Sequence, residues 1–163
     1  MSFDVFLQRF AGGECGEVNR ERVLAVLRTT KFTGPDAFGF YIVEFPDGRD
    51  VEFSAKGLED FHGFTNCAFH IRGGSPHLTK FIFEIARAGD MVIVAAMEPF
   101  MPILSSPEQL KELPVELAQN DPQPVVCNSP EELELLLSGG YADWQKYRDQ
   151  ILRRVQGHDT QSP

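Results

Sequence analysis

The stretch Met91–Met97 (MVIVAAM) is apolar at every position. A strand with one face in water alternates apolar and polar residues, so a run without alternation has both faces covered. It falls far short of the roughly 20 residues needed to cross a bilayer, and no longer apolar run occurs in the chain. Any fold for this sequence must therefore bury this strand between two layers. The supply of apolar side chains is sufficient: of 163 residues, 42% are hydrophobic and 24% charged, which excludes wholesale disorder and suits one domain with a sizeable core. With 14 Phe against 1 Trp and 3 Tyr, phenylalanine is expected to fill much of that core.

The residues before this run divide into strands and helices. Residues 2–10 (SFDVFLQRF) alternate Phe3, Val5 and Leu7 with Asp4, Phe6 and Gln8, the period of a strand. Asn19 is placed to cap a helix to about Thr30, with Val23, Leu24, Val26 and Leu27 as its stripe. Gly34-Pro35-Asp36 breaks the chain before a second strand over 38–45, and the turn Pro46-Asp47-Gly48 joins it to a third, Asp50–Ser54. Residues 65–72 (TNCAFHIR) form a fourth strand. Ser75 and Pro76 open a helix that presents Leu78, Phe81, Ile82, Ile85 and Ala86 on one face and stops at Gly89. With 91–97 the order is β-α-β-β-β-α-β. It predicts an α+β two-layer sandwich: a mainly antiparallel sheet of about five strands with both helices on one face.

Pro99 opens a different region, with Pro102, Pro107, Pro114, Pro122, Pro124 and Pro130 following. Ser106-Pro107-Glu108-Gln109 has the form of a capping box and predicts a short helix to Leu113. Val125–Cys127 reads as a short strand, and a second capping box from Ser129 starts a helix with Leu133, Leu135, Leu136 and Leu137. Gly139-Gly140 ends it, and residues 141–155 read as a last amphipathic helix. The organisation expected is a core over 1–98, a Pro-rich connecting segment over 99–128 packed on it, C-terminal helices over 129–156 and a disordered tail over 157–163, all within a single domain.

Net charge is −9, which argues against the basic surface that nucleic-acid backbones require. The charge is uneven: residues 99–142 hold seven acids and one base, Lys111. Some of those acids, Glu108, Glu131 and Glu132, fall in first turns of helices, where the helix dipole favours them. The opening Met1-Ser2-Phe3-Asp4 carries an acid where a signal peptide carries bases, so a cytoplasmic protein with no membrane segment is expected. Cys15, Cys67 and Cys127 are odd in number and form no CxxC, which points to reduced structural thiols. His62, His70 and His77 lie close in sequence but without a metal-binding spacing. No metal and no cofactor is expected.

Three groups of residues are candidates for function. Arg72-Gly73-Gly74-Ser75 ends a strand at a helix N-terminus, where free N–H groups can hold an anion; the plainer reading is a serine-capped turn. His70 shares a strand side with Asn66, Ala68 and Arg72, while Asp4 and Gln8 share a side of the first strand and Glu52 and Ser54 a side of the third. If those sides coincide, His70 meets Asp4 or Glu52 as an acid–base pair; the alternative is a histidine hydrogen-bonded on a solvated or loop-covered face. Trp144, Tyr147 and Ile151 form a helical stripe beside Lys146, Arg148, Arg153 and Arg154. It can bind a partner or form a homodimer, or dock on the chain's own core. No GxSxG or Cys–His catalytic pattern is present, and no catalytic residue is assigned.

The start SFDVFLQRF, the stretch FIFEIARAGDMVIV over 81–94 and the later VVCNSPEELELLLSG together resemble a group of small uncharacterised bacterial proteins. That resemblance implies a bacterial cytoplasmic α+β protein. The small, acidic, motif-poor character is also similar in style to immunity proteins that neutralise toxins. The expectation is a non-enzymatic protein-binding module. The alternative is a binder of a small anionic ligand, or an enzyme, using the Arg72–Ser75 turn and His70.

Overall fold

The structure, a computed structural model, describes residues 3–60, 63–138 and 146–154. Its main element is one mixed, mostly antiparallel sheet of eight strands. The chain starts in the middle of this sheet with β1 (Phe3–Gln8), then makes a small separate hairpin, β2 (Phe10–Ala11) and β3 (Glu14–Cys15). Helix α1 (Arg20–Leu27) carries it to the far edge, β4 (Lys31–Thr33). From there β5 (Phe40–Glu44), β6 (Asp50–Ser54) and β7 (Asn66–Ile71) meander back until β7 lies antiparallel to β1. Helix α2 (Pro76–Ala88) then crosses over and places β8 (Val92–Ala95) on the other side of β1. Beyond β8 come β9 (Ile103–Leu104), antiparallel to it, and β10 (Val125–Val126), parallel to β9.

The α+β class and the antiparallel character agree with expectation; the strand number does not, being eight rather than about five. The five long strands stand where the sequence pattern put them. Of the three further strands, β10 was expected as a short strand over Val125–Cys127, while β4 and β9, two or three residues long, are too short to show a period. They become strands by pairing, as Lys31–Thr33 does against Ile42–Glu44. Helix α1 stops short of Thr30 for a local reason. The hydroxyls of Thr29 and Thr30 donate to the carbonyls of Val26 (2.7 Å) and Leu27 (2.6 Å), closing the last turn. Helix α2 starts as its sequence indicates, with Ser75 Oγ accepting from the Leu78 N–H at 3.1 Å.

One face of the sheet packs on α1 and α2. Val5, Leu7, Tyr41, Val43, Val51, Phe53, Phe69, Ile71 and Ile93 join Val23, Leu27, Ile82 and Ile85 in a single buried cluster. Phenylalanine is central to it: Phe53 and Phe69 stack at 4.7 Å, and Phe81 of α2 meets both edge-on at 6.0 and 5.7 Å. Helix α4 (Pro130–Ser138) adds Leu133 and Leu136 and packs beside α2.

Among the described residues the other face is covered at the β8 end alone. A 3-10 turn over Pro107–Glu112 and the short helix α3 (Val115–Ala118) lie there, and Val92, Leu104 and Leu113 form a second buried cluster flanked by Phe10, Val94, Leu117 and Val126. This explains the run without polar alternation: consecutive Val92 and Ile93 are 1% and 0% exposed because each points into a different core. Buried Gln109 fastens the cover. Its Nε2 donates to Asp90 Oδ1 at 3.0 Å and Ser105 Oγ at 2.9 Å, while Ser105 Oγ donates to the Met91 carbonyl at 3.1 Å.

Two glycines in similar backbone conformations give a test of how tightly the β4–β6 region is built. Gly39 (φ +84°) precedes β5, and a Cβ there would lie 2.7 Å from the Lys56 Cα; Gly48 (φ +83°) has nothing within 4 Å. Gly48→Ala should cost only left-handed strain, about 1 kcal/mol. Gly39→Ala adds a clash with backbone that cannot rotate away and should cost about 3 kcal/mol or more. Urea unfolding of the two variants measures the difference.

Candidate functional site

The uncovered part of the second face, on β1, β7, β6 and β5, is arranged in rows by strand register. One row runs Ile42, Glu52, His70, Asp4; the next runs Phe40, Ser54, Ala68, Phe6 and ends at Val94 on β8. The strand sides that the sequence left unrelated therefore coincide. Asp4 and His70 are direct register partners, and His70 Nδ1 lies 2.7 Å from Asp4 Oδ1 with both side chains partly exposed. An ionised carboxylate only accepts, so Nδ1 carries the proton and Nε2 is left as the other ring nitrogen. Glu52 is the register partner of His70 on β6. Phe40 lies against the imidazole, 6.1 Å between ring centres.

Beside His70 is a cleft of about 380 Å³ whose lining includes Phe6, Phe40, Ser54, Lys56, Asn66 and His70. Its edges are set by local hydrogen bonds. Asp36 Oδ1 accepts from the N–H groups of Phe38 (2.8 Å) and Phe40 (3.0 Å), shaping the approach to β5. Gln8 Nε2 donates to the Thr65 carbonyl at 3.1 Å, and Asn66 Nδ2 to Thr65 Oγ1 at 3.0 Å. Phe6, Phe40 and Lys56 were not singled out by sequence reasoning. Phe6 did carry a signal, as the apolar residue on the otherwise polar side of its strand.

The Arg72–Ser75 turn is placed differently. An Arg49 guanidinium N–H donates to the Gly74 carbonyl, tying the turn to the β5–β6 loop. Ser75 is buried and caps α2. Gly73 has the Arg49 guanidinium as the nearest neighbour of a would-be Cβ. A carboxylate of the protein's own, Asp47, lies near this helix start. The Asp47 carboxylate accepts from the Arg49 N–H at 3.0 Å, and that bond, the Ser75 hydroxyl and the charges of His77 and Arg49 hold its carboxyl below the usual aspartate value. Arg72 is exposed just past β7, and no hydrogen bond or ion pair joins it to His70 among the described residues.

The remaining candidates are quickly placed. Among the described residues no group of three His, Cys, Asp or Glu could hold a metal ion; His62 lies outside them. Trp144 also lies outside the described residues. Tyr147 and Ile151 are half-buried within the helical residues 146–154, and Arg148 Nη1 is 3.8 Å from Oε1 of the buried Glu132 on α4. No helix among the described residues is long and apolar enough to cross a membrane.

Cys67 and Cys127 are buried and Cys15 exposed. Burial pushes the Cys127 thiol up to about 12 and the Cys67 thiol up as well. A thiol reagent at neutral pH should therefore modify Cys15 rapidly in the native chain, and Cys67 and Cys127 only after denaturation, as read by the stoichiometry of colour release.

A second prediction concerns Asp47. Its carboxyl is lowered in the folded chain, so its ionised form stabilises the fold above the usual aspartate value of 3.8, and that contribution is lost as pH falls through the depressed value. Asp47→Asn should be less stable than wild type at pH 7, with the gap closing below pH 3.8. Parallel thermal melts across that range check the sign. Compared with known protein families, curated proteins and solved structures, the chain finds no match.

Proposed function

We propose that this chain is a cytoplasmic, non-enzymatic protein-binding module whose open sheet face takes the basic surface of a partner protein, in the manner of a protein that neutralises its partner. The observation that carries the reading is the exposure of Phe6 (44%) and Ile42 (38%) on a sheet face whose other end is covered. Exposed apolar side chains ringed by polar ones are the usual form of an interaction site.

The surroundings favour a basic partner. Asp4 and Glu52 lie in the row that ends at Ile42, next to the row that holds Phe6. The segment over 99–128, which covers the adjoining part of the same face, holds Glu108, Glu112, Glu116 and Asp121 against Lys111 alone. Part of the −9 charge thus stands along one side of the exposed apolar residues. Such an arrangement speeds encounter with a cationic surface and rejects an anionic one.

The test is affinity capture from the source cell with three forms: wild type, a face variant (Phe6→Ser with Glu52→Lys) and a control on the helical side (Glu21→Lys). A stoichiometric basic partner should be retained by wild type and control. The face variant should weaken its binding at least thirtyfold, about 2 kcal/mol, the loss expected for a central apolar anchor. Recovery of no stoichiometric partner, equal retention by the face variant, or a wild-type homodimer closed through Phe6 in light scattering would each overturn the reading.

A further inference from the structure

The cleft beside His70 carries a second inference, independent of the protein partner. The partner reading rests on exposed apolar residues in acidic surroundings; the cleft has the opposite polarity. Of the nine described residues that line it, none is a carboxylate, and the ionisable ones among them are Lys56 and His70. In a chain with 24 acids and 15 bases, a concavity without an acid stands apart from its surface.

Three features converge there. Phe6 and Phe40 supply aromatic walls from β1 and β5. Lys56 supplies a positive charge, and no ion pair to it occurs among the described residues. Asp4 holds the imidazole of His70 through Nδ1 at 2.7 Å, which fixes the ring and leaves Nε2 for another group. Ser54 and Asn66 add neutral hydrogen-bonding groups between them. The volume of about 380 Å³ lies within the range of small-molecule sites, and the supporting residues stand on or beside paired strands, so the geometry exists before a ligand arrives.

We propose that this cleft is a binding site for a compact aryl carboxylate, its ring against Phe6 and Phe40 and its carboxylate toward Lys56. A flat apolar body gains from the aromatic walls. A carboxylate gains from the lysine, whose ammonium offers three donors and no acceptor. A cationic ligand would meet Lys56 without a compensating carboxylate in the lining, so the site selects against cations. The partner face and this site share Phe6 but not Lys56, so variants of Lys56 test the cleft alone.

The probes are benzoate, its neutral isostere benzamide, and acetate, which has the charge without the ring. Each is titrated into the full chain and followed by the ring signals of His70 in heteronuclear NMR. Benzoate should shift those signals saturably and bind at least tenfold more tightly than benzamide or acetate. Lys56→Ala, checked for an unchanged unfolding midpoint, should weaken benzoate at least tenfold and leave benzamide unaffected. Lys56→Gln, which keeps most of the side-chain length and removes the charge, should do the same and replaces Lys56→Ala should that variant unfold. Benzamide binding as tightly as benzoate, unchanged benzoate affinity in a folded Lys56 variant, or no saturable shift at His70 would overturn the proposal.

Discussion

The rest of the structure depends on the unequal cover of a single sheet. Val92 and Ile93 are neighbours, so their side chains leave β8 on opposite faces, and both are buried. That requires a layer on each side of the sheet at this end. Helices α1 and α2 provide one. The segment over 99–128 provides the other by passing across the opposite face and adding β9 and β10 at the edge. It reaches no further than the neighbourhood of β8, and where it stops, Phe6 and Ile42 remain exposed. The open face is thus what a cover too short for the sheet leaves behind.

The core also sets the geometry of the polar residues it does not contain. Val5, Phe69, Phe53 and Tyr41 form one cross-strand row on the helix side, held by the stack of Phe53 on Phe69 and the edge contacts of Phe81. Because successive residues alternate between faces, fixing that row fixes the next, Asp4, His70, Glu52 and Ile42, on the other side. A slip of one residue between β1 and β7 would expose Phe69 and bury His70. The hydrogen bond from His70 to Asp4 is therefore a consequence of apolar packing on the opposite face of the sheet. The same logic separates His70 from the Arg72–Ser75 turn, which the capping of α2 and the grip of Arg49 draw toward the β5–β6 loop.

Much of this was legible in the residues. The five long strands and the helices from Arg20, Pro76 and Pro130 follow from alternation, an unbroken apolar run, apolar stripes and the capping residues Asn19, Ser75 and Ser129, because those signals act over a few neighbouring positions. The small strands Lys31–Thr33 and Ile103–Leu104 were not legible, since so short a segment has no period and takes its conformation from its partner. The carboxylate near the start of α2 was also hidden. Asp47 is far from Ser75 in sequence and reaches it only because the β5–β6 turn folds beside the helix.

By itself the sequence determined the class, the order of the main elements, the two-sided burial of the strand after Asp90 and the polar character of the side that bears Asp4 and His70. These are statements about single segments, and each segment's pattern contains its own answer. Only the tertiary structure decided that Asp4 and His70 are register partners, that Phe6, Phe40 and Lys56 border one cleft, and that the acidic segment covers one end of the face and leaves the rest open. Those facts join residues tens of positions apart. They depend on which strands become neighbours, and that is settled by the packing of the whole apolar core rather than by any local preference.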